Sequence, residues 1–181
     1  MAATHDHRTN LAACAAIAFA CALPTNSDRA VAAEPAVTCN RAENAEFDFW
    51  VGEWDVVFAA DGRAAGYSLI EKLYGGCALR ENWRGNSGYA GGSLNFYDPS
   101  AARWRQTWIG SDGVPTDYVG GREGPAMVFR ATLPGEAPGR SRMMRMTFSP
   151  VGAGEVRQLI EASDDAGATW RAEYDLTYQR R

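Results

Sequence analysis

Histidine is almost absent from this 181-residue chain. Its two histidines, His5 and His7, both precede residue 33, where we expect a leader peptide to be removed. The remaining chain then has no histidine, which excludes Ser-His-Asp and Cys-His catalysis and also histidine ligands for zinc or haem. We therefore expect no metal site and no cofactor.

Lysine is nearly absent as well, and acidic residues outnumber basic ones. The chain has 18 Lys and Arg against 22 Asp and Glu, for a net charge of -4, and Lys72 is its only lysine. Because no stripe of basic residues appears along the chain, we do not expect nucleic acid as a partner. The sequence does not indicate an oligomeric state.

Long apolar runs are missing too. The longest, residues 11–23, is too short for a transmembrane helix, which needs about 20 apolar residues. Arg8 precedes this run and small residues ending at Ala33 follow it, so we predict that residues 1–33 are a signal peptide cleaved near Ala33. A lipoprotein signal is the alternative, because Cys14 ends a Leu-Ala-Ala-Cys lipobox, although that motif stands at the start of the apolar run and not after it. We expect an exported protein, periplasmic or secreted, without a transmembrane span.

Only Cys39 and Cys77 remain once Cys14 and Cys21 leave with the leader. Two cysteines in an exported chain favour a disulfide. It would tie the polar lead-in, residues 34–46, to the third predicted strand. Two free thiols are the alternative, since a two-cysteine metal site needs further ligands and none is nearby.

Helical periodicity is missing after residue 50, and an alternation of period two replaces it. The first strand, about 53–60, follows an aromatic segment that begins at Phe47, and it turns Trp54, Val56 and Phe58 to one side. A loop is expected at 133–139. Further strands are predicted at about 66–74, 77–84, 92–97, 103–110, 117–120, 126–132, 142–149, 155–163 and 170–178.

This spacing of short strands indicates a β-sandwich or a closed barrel. Simple consecutive hairpins favour the barrel, which also leaves no strand edge unpaired. We predict an all-β domain at 47–181, a single antiparallel up-and-down β-barrel of about ten strands. In its last strand, the inward residues are expected to be Trp170, Ala172, Tyr174, Leu176 and Tyr178.

Several short motifs carry a resemblance to known proteins. Gly52-x-Trp54 in the first strand, with Arg180 and Arg181 after the last, is similar to the lipocalin or calycin signature. In that signature a tryptophan closes one barrel end and a terminal arginine covers it through a cation–π contact. The longer set comprises the Phe-Asp-Phe-Trp-x-Gly-x-Trp stretch at 47–54, then Gly76-Cys77, Glu81-x-Trp83, Gly92-Ser93-x-Asn95, Tyr97 and Trp104-x-Gln106-x-Trp108.

Together these motifs resemble a family of exported bacterial proteins of unknown function within the calycin superfamily. The resemblance covers roughly residues 39–180. It implies a calycin-like or lipocalin-like barrel of about ten strands, as in fatty-acid-binding proteins and nitrobindins. It implies no catalytic residue.

Two strands carry polar side chains on their apolar faces. The strand at 77–84 turns Glu81 to the side of Trp83, and the strand at 103–110 turns Gln106 to the side of Trp108. Burying a carboxylate without partners costs several kcal/mol, so an inward Glu81 needs hydrogen bonds, water or a ligand. The alternative to a functional Glu81 is an interior Glu81 satisfied by Gln106, Asn95 or a buried arginine.

A barrel of ten strands is too wide for side chains to fill completely, which favours a cavity between these strands over a packed interior. Burial would raise the pKa of Glu81, making it the candidate catalytic acid or base. The predicted ligand-binding residues are Glu81, Trp83, Asn95, Gln106, Trp108 and Tyr174.

Two other features have a structural interpretation. Asp165 lies in a Ser-x-Asp-x-Gly-x-Thr-Trp segment that matches the Asp-box of sialidase propellers, but it occurs once, which favours a hairpin turn closed by the aspartate. Arg157 and Glu161 share one strand face. That face is expected to meet solvent; with the opposite register the two would form a polar pair inside the barrel.

Three functions fit these observations. The first is a protein that binds a small, partly apolar or aromatic ligand in the barrel. The second is a lyase, isomerase or cyclase that acts on a small organic substrate in the same cavity with a carboxylate acid or base. The third is a structural envelope protein with a filled barrel.

Overall fold

The computed structural model of the chain describes residues 39–181; the predicted signal peptide lies outside these residues. Short 3-10 turns occur at Ala42–Ala45, Asp48–Trp50 and Tyr74–Gly76. The strands are β1 Gly52–Phe58, β2 Ala64–Leu73, β3 Ala78–Gly85, β4 Ala90–Asp98, β5 Arg103–Gly110, β6 Pro115–Glu123, β7 Ala126–Pro134, β8 Ser141–Gly152, β9 Glu155–Ser163 and β10 Arg171–Arg180.

Each strand pairs antiparallel with the next one in sequence, and β10 pairs back onto β1. The closing register places Trp54 opposite Arg180. The ten strands therefore form a closed up-and-down barrel without an unpaired edge. The predicted fold class, an all-β calycin-like or lipocalin-like barrel, is confirmed.

An aromatic plug closes one end of the barrel, and it is built by the segment that precedes β1. The Phe47 and Trp50 rings are stacked with centroids 4.8 Å apart, and both side chains are fully buried. Phe47 also contacts Trp104 on β5, Phe129 on β7 and Phe148 on β8. Because the plug sits where the odd-numbered strands begin, the turn that follows each of those strands lies at the opposite end.

Arg180 seals the plugged end from outside. Its guanidinium lies 4.3 Å from the Trp54 ring centroid and donates a hydrogen bond of 3.1 Å to the Val51 carbonyl. Gly52 has a φ of 141°, and a Cβ there would lie 2.4 Å from Arg180 Nη1. Only glycine combines this backbone conformation with so close an approach.

The predicted disulfide is present. Cys39 and Cys77 are joined, with Cα atoms 4.9 Å apart. The Cys39 amide also donates to the Gly75 carbonyl at 3.2 Å. The bond therefore holds the start of the described chain against the turn that leads into β3.

The inward residues predicted for the last strand are partly wrong, because β10 contains a β-bulge. Ala172 pairs with Glu161 and Tyr174 pairs with Ile160, so Glu173 is an extra residue that shifts the alternation. Tyr174, Leu176 and Tyr178 face the barrel interior as expected. Ala172 is exposed, and Trp170 lies outside, where its ring contacts the Arg145 guanidinium.

Three further points complete the fold. The inner face of β2 carries Ser68 and Ile70, while Tyr67 lies on the outer wall and donates to Glu53. The loop predicted at 133–139 begins later, because β7 continues to Pro134 and the neighbouring Leu133 lines the interior. Within residues 39–181, no helix is both long and apolar enough to cross a bilayer.

Candidate functional site

The barrel contains a cavity of about 500 Å³ that opens at the end opposite the plug. Its walls come from nearly every strand, and its rim includes the turns after β3 and β5. The polar and aromatic side chains that line it are Phe58, Glu81, Trp83, Ser87, Tyr89, Gln106, Trp108, Asp112, Thr116, Tyr118, Gln158, Tyr174 and Tyr178.

Glu81 is the buried acid of this cavity. Alternation along β3 turns it inward with Leu79 and Trp83, and only 4% of the residue is exposed. Two serine hydroxyls from the flanking strands donate to it: Ser68 Oγ to Oε1 at 3.0 Å and Ser93 Oγ to Oε2 at 3.1 Å. Each carboxylate oxygen therefore has a neutral hydrogen-bond donor.

Tyr178 on β10 links Glu81 to the far wall of the barrel. Its hydroxyl lies 3.1 Å from Gln158 Oε1 and 3.4 Å from Glu81 Oε1, so its one hydrogen is shared between two acceptors. The Gln158 amide in turn donates to Met146 Sδ at 3.2 Å. Tyr178 thus lies beside a residue that precedes it by 97 positions in the sequence.

Burial sets the protonation of both groups. Desolvation raises the pKa of Glu81 to about 7, against the opposing effect of the Ser68, Ser93 and Tyr178 hydrogen bonds. Desolvation and the neighbouring carboxylate also raise the pKa of Tyr178 well above its usual value. Glu81 therefore changes charge near neutral pH, while Tyr178 remains a neutral hydrogen-bond donor.

Gln106 and Asn95 belong to the same polar network, one step further from Glu81. The Gln106 amide donates to Asn95 Oδ1 at 2.6 Å, and the Asn95 amide donates to Ser93 Oγ at 2.9 Å. Gln106 lines the cavity, whereas Asn95 is fully buried behind Ser93. Of the predicted ligand-binding residues, Asn95 is therefore placed as a support for Ser93 and Gln106, away from the cavity surface.

Aromatic side chains form much of the cavity wall. Trp83 on β3 and Trp108 on β5 line it from adjoining parts of the sheet, and Tyr174 on β10 lines it near the rim, 56% exposed. A Cβ at Gly91 would lie 2.6 Å from Trp108 Cζ2, so glycine lets this indole lie close to the β4 backbone. The predicted residues other than Asn95 thus share one cavity.

The sequence did not reveal most of the partners of Glu81. Ser68 was not singled out, because both faces of β2 carry apolar residues and the alternation does not decide which face is inward. Ser93 belonged to the Gly-Ser-x-Asn motif, but nothing in the motif assigned it to Glu81. Tyr178 was predicted to face inward without a partner, and Gln158 was not singled out.

Arg157 and Glu161 lie on the outer wall of the barrel. Arg157 pairs with Asp175 at 2.7 Å, and Glu161 pairs with Arg145 at 2.8 Å. The two residues therefore lie outside the barrel and do not pair with each other. The outward facing expected for this strand face is confirmed.

The Asp-box-like segment is a turn. Asp165 accepts hydrogen bonds from the Thr169 amide at 2.8 Å and from the Ser163 hydroxyl at 2.7 Å. These bonds close the connection between β9 and β10, as expected for a structural aspartate.

No group of three or more His, Cys, Asp or Glu side chains in residues 39–181 is arranged to hold a metal ion. The polar groups of the cavity are instead suited to hydrogen bonding and proton exchange at Glu81, between aromatic walls. In comparisons with known proteins, the chain matches no protein-family model, and no curated protein is significantly similar to it in sequence.

Proposed function

We propose that this protein is an exported binding protein that holds a small, partly apolar or aromatic molecule in its barrel. The observation that carries the proposal is the cavity of about 500 Å³, which has tryptophan walls and the hydrogen-bonded acid Glu81 in its interior. Cavities of this size and mixed character are typical ligand sites. Trp83 and Trp108 would contact the ligand body, while Glu81 and Gln106 would orient its polar group.

Export and family membership are part of the same proposal. The Cys39–Cys77 disulfide supports an oxidising compartment, which fits removal of a signal peptide near Ala33. The barrel closure by Trp54 and Arg180 fits the calycin-like family that the motifs resemble. A structural protein with a filled barrel is less well supported, because the cavity leaves room for a ligand.

An enzyme is the second candidate, and a specific observation favours it. Glu81 has a pKa of about 7, and the Tyr178 hydroxyl lies 3.4 Å from it. A carboxylate poised near neutral pH is suited to removing a proton from a substrate, and a neutral tyrosine to donating a hydrogen bond to the developing charge. A lyase, isomerase or cyclase reaction would use these two roles.

The test measures binding to the mature protein with an environment-sensitive fluorescent probe that has an apolar aromatic body. Trp108→Ala removes a cavity wall and should weaken probe binding about tenfold. Ile109→Ala is the matched control, because Ile109 is the next residue in β5 and is 46% exposed on the outer wall. Circular dichroism should show both variants folded.

Equal affinity for wild type and Trp108→Ala would contradict binding in the barrel. To separate binding from catalysis, mass spectrometry would identify molecules that co-purify from the native host. Incubation of these molecules with fresh protein should return them unchanged if the protein is a binder. Conversion that is lost in Glu81→Gln would instead favour the enzyme.

A further inference from the structure

The cavity has acids in its lining but no base. Two carboxylates face it, Glu81 in the interior and Asp112 near the rim. Among the described residues that line it, none is arginine, lysine or histidine. The charged character of the cavity is therefore negative whenever these acids are ionised.

Glu81 in particular has no positive partner among the described residues 39–181. Its hydrogen-bond donors are the neutral hydroxyls of Ser68, Ser93 and Tyr178. The nearest arginine in the β2–β3 register, Arg80, faces the outer wall and pairs with Glu71 at 2.7 Å. An ionised Glu81 is thus a buried negative charge that the fold itself does not neutralise.

The surrounding walls suit the opposite charge. Aromatic ring faces attract cations, tryptophan most strongly, and the attraction grows when the site is desolvated. Trp83, Trp108, Tyr89 and Tyr174 supply such rings around the same cavity. The net charge of the chain, -4, adds a weak attraction at long range.

We propose that the ligand is a small organic cation, a protonated amine on an apolar or aromatic body, whose ammonium group pairs with Glu81 between the tryptophan walls. The inference rests on the proposed binding function and specifies the chemical class of its ligand. An organic anion, such as a fatty acid, would bring a second negative charge beside Glu81 without a basic residue to receive it.

The pairing makes binding depend on pH. The titratable side chain that hydrogen-bonds to Glu81 is Tyr178, which stays neutral; Tyr118 and Asp112 line the same cavity from β6 and the turn before it. Glu81 must be ionised to pair with the ammonium, so binding to protonated Glu81 releases its proton to solvent. The amine keeps its own proton throughout.

The experiment compares three probes that share a phenyl group and a short chain: 2-phenylethylamine (cation), 2-phenylethanol (neutral) and 3-phenylpropionate (anion). Calorimetry at pH 8 should show the amine binding at least about tenfold more tightly than the other two. Because binding requires the ionised fraction of a group with a pKa of about 7, amine affinity should fall about 30-fold from pH 8 to 5.5. Alcohol affinity should not change.

Two variants locate the effect. Glu81→Gln keeps the shape of the side chain. This variant should bind the amine and the alcohol with about equal affinity, and its affinity for the amine should not change with pH. Glu71→Gln is the matched control, since Glu71 follows Ile70, the β2 residue opposite Glu81, but faces the outer wall. It should retain the wild-type preference.

The outcomes separate the two proposals. Equal or tighter binding of the alcohol or the acid, or a preference for amine that survives in Glu81→Gln, would overturn the cation inference and leave the binding function standing. If the fluorescent probe binds and none of the three phenyl compounds does, the cation inference is also overturned and the binding function stands. If neither that probe nor any of the three phenyl compounds binds, both proposals fail.

Discussion

Arg180 lies directly over Trp54, with its guanidinium carbon 4.3 Å from the ring centroid and its residue paired with Trp54 across the β1–β10 seam. The contact joins the first strand to the last, whose pairing closes the barrel. The tryptophan ring is fully buried beneath it, and its indole nitrogen donates to the Trp50 carbonyl at 2.9 Å. One arginine thus covers both the seam and the plug.

Replacing Arg180 with alanine should lower the free energy of unfolding by about 1–2 kcal/mol, because it removes a cation–π contact and the hydrogen bond to Val51. Urea unfolding followed by circular dichroism measures this change. Arg103→Ala is the control, since that exposed side chain only donates to the nearby Ala101 carbonyl. Equal stability of the two variants would show that Arg180 does not hold the seam.

The disulfide should also contribute to stability. Cys39 and Cys77 are 38 residues apart. Closing a loop of this length lowers the entropy of the unfolded chain and thereby raises its free energy by about 3–4 kcal/mol. We therefore expect the Cys39→Ser, Cys77→Ser double variant to unfold at lower urea concentration. Wild type treated with reductant should unfold at the same concentration as the double variant. If reductant has no effect on the wild type, the predicted stabilisation is wrong.

The strands were predictable where one face is clearly apolar. β5 reads Trp, Gln, Trp at alternate positions, so the inward direction of Gln106 between two tryptophans followed from the sequence. β9 was predicted with the same bounds that it has in the structure. In both strands the period-two signal agrees with the burial.

Other features could not be predicted, because they depend on pairing between strands. On β2 both faces carry apolar residues, so alternation alone did not show that Ser68 faces inward. The bulge at Glu173 reverses the facing of Trp170, and no residue type marks it in advance. Likewise, Tyr178 meets Glu81 only because the barrel closes and brings β10 near β3.

Glu81 should destabilise the protein at high pH. Below pH 4.5 the carboxyl is protonated in both native and unfolded states. Between pH 4.5 and about 7 the unfolded chain loses the proton while the native state keeps it, so the free energy of unfolding falls as pH rises. The pKa difference corresponds to a loss of about 3 kcal/mol, which is complete above pH 7.

Glu81→Gln removes this loss, so the variant should be more stable than wild type at pH 8 and similar to it at pH 4. The serine hydroxyls can rotate to suit the amide. Urea unfolding at pH 4, 6 and 8 measures the difference, with Glu71→Gln as the outer-wall control. If the free energies of unfolding of wild type and Glu81→Gln differ by the same amount at all three pH values, Glu81 is not buried as an acid without a positive partner. The expected gain in stability of Glu81→Gln at pH 8 would mean that the wild-type fold tolerates an unfavourable charge, as functional sites often do.

The hydroxyls around Glu81 should differ in their effect on its titration. Ser68 donates to Oε1 at 3.0 Å, whereas the Tyr178 hydroxyl is 3.4 Å away and shared with Gln158. Each bond favours the ionised form, so Ser68→Ala and Tyr178→Phe should both raise the pKa of Glu81, the serine variant more. Carboxyl ¹³C shifts followed against pH measure this order, and Ser100→Ala, on an exposed turn, should leave the titration unchanged. A larger increase in Tyr178→Phe would mean that the tyrosine is the main partner of the carboxylate, which would strengthen the case for an acid–base pair.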